Sequence, residues 1–223
     1  CASDLHILTP GDRGCRALAA LIGLAQAQQV HLLLIAGDLF DQNRIEDATL
    51  ESVREQFLHL NIPVVILPGN HDCLTEDSVY HKSHWQNTPG VFIFRNPGGE
   101  TLTFPDINLS IWGKPIATYF DVRPLAGMPV PAVDGGWNIA AAHGLVVQQI
   151  PRHARSYLIT EAEIDGTGWD YIALGHITIY ERVREQPLTV YSGSATERGS
   201  AALVDFAETG VNVTRCDIMK DSI

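Results

Sequence analysis

The chain is short of cysteine, of lysine and of long apolar runs, and each shortage removes a class of protein. Its four cysteines (Cys1, Cys15, Cys73 and Cys216) form no C-x-x-C pair and no dense framework. That argues against a structural zinc ribbon and a disulfide scaffold, and leads us to expect reduced thiols in a cytoplasmic protein. The apolar runs, 32–36 for example, are strand-sized and far below the roughly 18–20 residues that span a bilayer, so no membrane segment is expected. Of fifteen basic residues twelve are arginine, and the formal charge is −11. A broadly basic nucleic-acid surface is therefore excluded, although a few arginine forks could still grip phosphate locally.

What is present points to a globular chain. Hydrophobic residues make up 45% and charged residues 18% of the 223, a balance that supports a sizeable core and, at this length, one domain over 1–223. The first residue is Cys1 rather than methionine, three residues before a motif expected to end a strand, so upstream residues are expected to be missing. A lipid-modified Cys1 is the weaker alternative, since an anchor there would crowd Asp4.

Short apolar runs at 31–36, 64–67, 109–112, 139–142, 171–174 and 188–191 read as core strands. Helical spacing over 13–29 (Leu18, Leu21, Ile22, Ala25) and 46–60 (Leu50, Val53, Phe57, Leu60) separates the early ones. Alternation of strand and helix predicts right-handed crossovers and parallel pairing, and the closer-spaced later strands predict a second sheet. The expected fold is an α/β, layered α/β/β/α sandwich with two mixed sheets. The Gly- and Pro-rich stretches 97–105 and 115–136 read as loops, the second of them able to roof a pocket.

Parallel sheets bind ligands at the carboxyl ends of their strands. Here those ends carry Asp4 and His6, then Asp38, then Asn70 and His71, then His143, then His176. Taken singly, these are ordinary turn or cap residues. Five strand ends bearing oxygen or imidazole donors are a different matter. Asp4 and His6 are two apart, so on an extended strand they would leave one face together. Donors without thiolate suit manganese, iron, zinc or magnesium, and Asp38 has the two oxygens needed to bridge a pair of ions. Two ions about 3.5–4 Å apart can clamp the attacking and leaving oxygens of an in-line displacement at phosphorus.

Asp4-Leu5-His6, Gly37-Asp38-Leu39-Phe40-Asp41, Gly69-Asn70-His71-Asp72, Ala142-His143-Gly144 and Gly175-His176 resemble the ordered motifs of calcineurin-like metallophosphoesterases. The stretches 36–41, 67–72 and 191–194 are similar to those of SbcD-type nucleases of double-strand-break repair. The resemblance implies two divalent ions, manganese first, with Asp4, His6 and Asp38 at one and Asp38, Asn70, His143 and His176 at the other. It implies His71 as a non-ligand histidine assisting the leaving oxygen, Asp72 as its orienting carboxylate, and Asp41 as support behind them. It further implies a phosphoester substrate, DNA among the candidates, and an ATPase partner subunit. SbcD-type proteins also carry a DNA-capping region, whereas this chain ends about thirty residues after Ser194.

One departure stands out: the family's Gly-His-x-His is Gly175-His176-Ile177-Thr178 here, so a neutral hydroxyl replaces an imidazole at the first ion. That ion is expected to bind more weakly, or to be completed by water or by Glu181. Three functions follow: a nuclease-like phosphodiesterase, a phosphoesterase for a nucleotide or sugar phosphate, or a decayed site serving as a binding module. Arg152, His153 and Arg155, with Arg198, are candidates for contact with substrate phosphate. His31, His59, His81 and His84 are assigned no role.

Overall fold

The computed structural model describes residues 1–85, 88–120, 122–131, 135–150 and 157–218. Arg152, His153 and Arg155 lie outside the described residues. In chain order the elements are α1 (Arg13–Ala27), β1 (Leu33–Ala36), α2 (Asp47–Leu58), β2 (Val64–Leu67), β3 (Val91–Ile93), β4 (Glu100–Phe104), β5 (Leu109–Gly113), β6 (Trp137–His143), β7 (Leu145–Val147), β8 (Leu158–Thr160), α3 (Glu161–Ile164), β9 (Tyr171–Gly175), β10 (Glu181–Glu185), β11 (Leu188–Tyr191), β12 (Ser200–Ala207) and β13 (Gly210–Asp217). α1 starts where Asp12 caps it, its carboxylate accepting from Cys15 N at 2.8 Å, which satisfies one of the free donors of the first turn.

Two sheets lie face to face. The smaller, β1-β2-β3, is parallel throughout. The larger runs β10-β11-β9-β6-β5-β4, with four parallel strands inside and an antiparallel strand at each edge. Alternation along the strands assigns the layers. Leu33, Ile35, Val64 and Ile66 turn toward Leu18, Leu21, Val53 and Phe57 of the helices. Their neighbours Leu34, Val65 and Leu67 turn inward to meet Ile139, Ala141, Tyr171 and Ala173 of the larger sheet. Ala140, Ala142, Ile172 and Leu174 point outward again, under Leu125, Ile159, Ile164 and Trp169. Period-two side chains on strands buried on both faces produce this pattern.

The layered α/β sandwich is thus as expected, with the fourth layer thin. It consists of the one-turn helix α3 and the loop around Leu125, pinned where Arg123 pairs with Glu163 and donates to Leu158 O at 3.1 Å. The stretch 97–105 is not all loop, because 100–104 forms the edge strand β4. The segment Ser3–His6 is no strand: isolated bridges of Ala2 to Ile35, Ser3 to Ser194 and Ile7 to Phe40 hold this part of the chain. Among the described residues no helix is long and apolar enough to cross a membrane, and all four cysteines are free thiols.

Candidate metal centre

The turns after β1, β2, β6 and β9 converge on one spot with the segment 4–6. That segment lies along the turn after β1: Asp4 N donates to Gly37 O at 3.1 Å, and Leu5 N and His6 N both donate to Asp38 O at 2.9 and 3.1 Å. Asp4 and His6 do not sit on an extended strand. Their φ angles are 55° and 51°, and Asp38 and His176 have 54° and 94°. Side chains with β-carbons are uncommon in this left-handed region, and each such residue costs about 1–3 kcal/mol. Four of the six non-glycine residues so placed among the described residues are candidate ligands, which concentrates backbone strain where the donors meet. A β-carbon on Gly37 (φ 95°) would overlap the His143 ring, and one on Gly69 would overlap the Asp38 carboxylate. The two glycines therefore let β1, β2 and β6 approach closely enough to share a site.

Asp38, 2% exposed, is the centre of the arrangement. Its Oδ1 accepts from His71 N at 2.9 Å, while Oδ2 lies 3.2 Å from His143 Nε2 and 3.9 Å from His6 Nε2. His6 Nε2 is also 3.9 Å from Asp4 Oδ1. His143 is fully buried, and its Nδ1 sits 2.9 Å from the carbonyl of Ala36. A carbonyl only accepts, so Nδ1 carries the hydrogen and Nε2 faces Asp38 Oδ2 and, at 2.9 Å, Asn70 Oδ1. Asn70 Oδ1 also lies 3.0 Å from His176 Nδ1, and His176 N donates to Asp4 Oδ2 at 3.2 Å.

This is an electrostatic arrangement that wants a cation. Burial would lower the His143 pKa, but the Asp38 charge overrides it and lifts the imidazole to about 9. Burial likewise opposes ionisation of Asp38, and the His143 charge with the His71 N–H holds its carboxyl far below the usual range. His176 is lowered by burial and then by the neighbouring His143. Two donor groups, Asp4 with Asp38 and His143, and His6 with Asp38 and His71, each have their ligand atoms within 4.8 Å of one another. The 3.9 Å gaps about His6 are too long for hydrogen bonds, so its ring nitrogen and the Asp4 and Asp38 oxygens face one another without a shared hydrogen. His6 Nδ1 is buried without a hydrogen-bond partner, standing 3.3 Å from Asp41 Oδ1. The residues present fit divalent ions of the hard to borderline kind.

Asp72 is not beside the His71 imidazole. It is fully buried, and its oxygens accept from Gly69 N at 2.7 Å, Phe40 N at 3.1 Å and the Tyr80 hydroxyl at 2.6 Å. Burial and then the Asp38 charge raise its pKa to about 6. It fastens the turns after β1 and β2 to each other, while Asp41 is the residue beside the His71 ring: His71 Nδ1 lies 2.9 Å from Asp41 O and 3.6 Å from its carboxylate. The orienting role that the resemblance implies for Asp72 does not match these contacts, since its oxygens face Gly69, Phe40 and Tyr80. Thr178 follows β9 and is half-buried, its carbonyl accepting from Ser194 N at 3.0 Å. Glu181 opens β10 opposite Tyr191, exposed, and belongs to neither donor group. Arg198 is exposed on the turn from Ser194, which Thr196 ties to Leu5 O at 2.6 Å. Sequence reasoning missed Tyr80 and also Asn43, whose amide bonds Cys73 O at 2.8 Å; neither follows an apolar run, so no strand-end signal marked them.

Comparison with known proteins agrees with this geometry. Residues 1–210 match the family model described as calcineurin-like phosphoesterase. The chain is 28% identical over 204 residues to the "uncharacterized metallophosphoesterase YhaO" of Bacillus subtilis (strain 168), covering 89% of this chain and 49% of that protein. It thus spans about half the length of this curated relative. TT1561 of Thermus thermophilus superposes with a TM-score of 0.62 at 9% identity, over 97% of this chain and 96% of that one. Another solved structure gives 0.61 at 12%, over 96% of both chains. At those identities the structures attest the fold, and the family match over nearly the whole length decides the rest: the chain belongs to the calcineurin-like phosphoesterase family.

Proposed function

We propose that the chain is a metal-dependent phosphodiesterase, nuclease-like in its substrate, with two divalent ions sharing Asp38. The observation that carries this is the position of Asp38 Oδ2 between the His143 and His6 imidazoles, with Asp38 common to both donor groups. Asp4, Asp38, His143, Asn70 and His176 would hold one ion, and Asp38, His6 and neighbouring donors the other. When bound, such ions activate an attacking oxygen and neutralise charge on the leaving one. The protein's own part is to orient and to move a proton. With Nδ1–H donating to the Asp41 carbonyl, the half-exposed His71 would give a leaving oxygen the Nε2 proton of its imidazolium form and be left as the neutral ring. Although His71 shares a donor group with His6 and Asp38, its place at the open side suits proton transfer.

Donors of oxygen and imidazole make manganese the ion to test first. The similarity of 36–41, 67–72 and 191–194 to SbcD-type nucleases supports DNA as substrate and an ATPase subunit as partner in the cytoplasm. The expected outcome is that protein stripped by chelator is inactive on bis-(p-nitrophenyl) phosphate and linear DNA, and that manganese restores turnover. No turnover of either substrate with manganese, iron, zinc or magnesium would leave the binding-module reading, which Thr178 favours. Thr178→His returns an imidazole to the family's position and is expected to tighten the weaker ion about tenfold or more. Metal analysis after dialysis reads this directly: no gain in retained ion would place the weak point elsewhere.

A further inference from the structure

The stretch 115–120 ends in two large aromatics presented to solvent near the turn that carries Asp41 and Asn43. Tyr119 is 53% exposed and Phe120 75%. The two are adjacent in the chain, and together they put more apolar surface into solvent than a singly exposed side chain does. Neither is free to wander. The Tyr119 hydroxyl lies 3.3 Å from the amide nitrogen of Asn43, which is two residues past Asp41 and also donates to Cys73 O at 2.8 Å. Phe120 is set by a local turn in which its N–H donates to Thr118 Oγ1 at 3.0 Å while that hydroxyl donates to Phe120 O at 2.6 Å. A third ring continues the rim: Tyr157 packs on Cys73 and Ile116 and stands edge-on to His176, centroids 6.3 Å apart. Tyr157 thus stands against a candidate ligand, and Tyr119 is tied through Asn43 to the turn that carries Asp41, with Phe120 next to it in the chain.

We propose that Tyr119 and Phe120 form a stacking platform for an unpaired nucleobase attached to the phosphodiester being cut, so that the substrate is a nucleotide ester or a single-stranded end. The inference rests on the phosphodiesterase reading above. A chain of net charge −11 has few cations with which to follow a duplex backbone. Stacking on a π-face is sequence-tolerant and needs no cation. A planar base next to the scissile phosphate would cover the exposed rings, whereas an alkyl or sugar phosphate would leave them in water.

The test compares thymidine 5′-(p-nitrophenyl phosphate) with methyl p-nitrophenyl phosphate, two esters with the same leaving group. Phe120→Ala is expected to raise KM for the thymidine ester about tenfold relative to the methyl ester, with kcat for the thymidine ester within about twofold, and Phe120→Trp to restore it. An equal change for both esters, or none, overturns the platform. On oligothymidylate, a Phe120→Ala loss with the free strand but not with its duplex identifies a single-stranded end, and a loss confined to the mononucleoside ester identifies a free nucleotide ester. Fluorescence of Phe120→Trp gives a readout that needs no turnover. Quenching by thymidine 5′-monophosphate but not by ribose 5-phosphate supports stacking even if hydrolysis fails, and no difference between the two rejects it.

Discussion

Replacing Asp38 by alanine is expected to reduce manganese-dependent hydrolysis at least ~10³-fold, a loss of about 4 kcal/mol of transition-state stabilisation. No other candidate ligand serves both donor groups, so its removal weakens both ions together, whereas loss of His6 or His143 weakens one. Bound metal should therefore fall below one equivalent in Asp38→Ala. Asp38→Asn is the informative companion: it keeps an oxygen to accept from His71 N but removes the charge that draws the His143 imidazole upward. If Asp38→Asn retains metal and activity while Asp38→Ala does not, the carboxylate is a positioning group. If Asp38→Ala itself keeps wild-type turnover, the shared-carboxylate centre is wrong.

Asp72→Ala is expected to cost about 3–5 kcal/mol of folding stability, among the larger effects open to a single substitution. The loss comes from what remains behind. Phe40 N–H, Gly69 N–H and the Tyr80 hydroxyl all point at Asp72 inside the protein, and removing the acceptor strands three buried donors at about 1–3 kcal/mol each, partly relieved if water enters the cavity. Asp72→Asn keeps one oxygen but turns an amide nitrogen toward a donor, and should cost less. Urea unfolding of the chelated protein separates this from chemistry, a shift of midpoint at constant slope being the expected signature. A midpoint change worth under about 1 kcal/mol, with activity nonetheless lost, would return Asp72 to the catalytic role expected from its place beside His71.

The sequence was most legible where burial on both faces leaves a short unbroken apolar run. Val64–Leu67 and Leu188–Tyr191 are strands at the boundaries read from the residues, because each run ends where a polar turn begins. Edge strands were less visible. β4 pairs on one side only and keeps Glu100, Leu102 and Phe104 interleaved with exposed threonines, so the flanking Gly98, Gly99 and Pro105 dominated the reading. The β12–β13 hairpin was missed for a similar reason: its outer faces carry Asp205, Asn212 and Arg215 at strand positions, which breaks the run of apolar residues.

At the site, residue types after the apolar runs were enough to name Asp4, His6, Asp38, Asn70, His143 and His176 as one set. Their backbone was not readable. Period-two reasoning put Asp4 and His6 on one face of a strand, and the left-handed angles that bring them together depend on the Gly37–Leu39 turn alongside. Nor can sequence order reveal that Asp72 reaches across to Phe40 and Tyr80 while Asp41 serves His71. Such pairings are set by how two turns pack, and residues about thirty positions apart compete with the immediate neighbour.

The donors come from both sides of a seam. Asp38 and Asn70 follow strands of the smaller sheet, while His143 ends and His176 follows strands of the larger one, and away from the site the sheets meet through non-directional apolar contact. An ion held there would act as a clasp that resists sliding of one sheet over the other. Its binding energy would then appear as resistance to heat and protease, growing with metal concentration, and the proposed reaction centre would double as the fastening between the two halves of the sandwich.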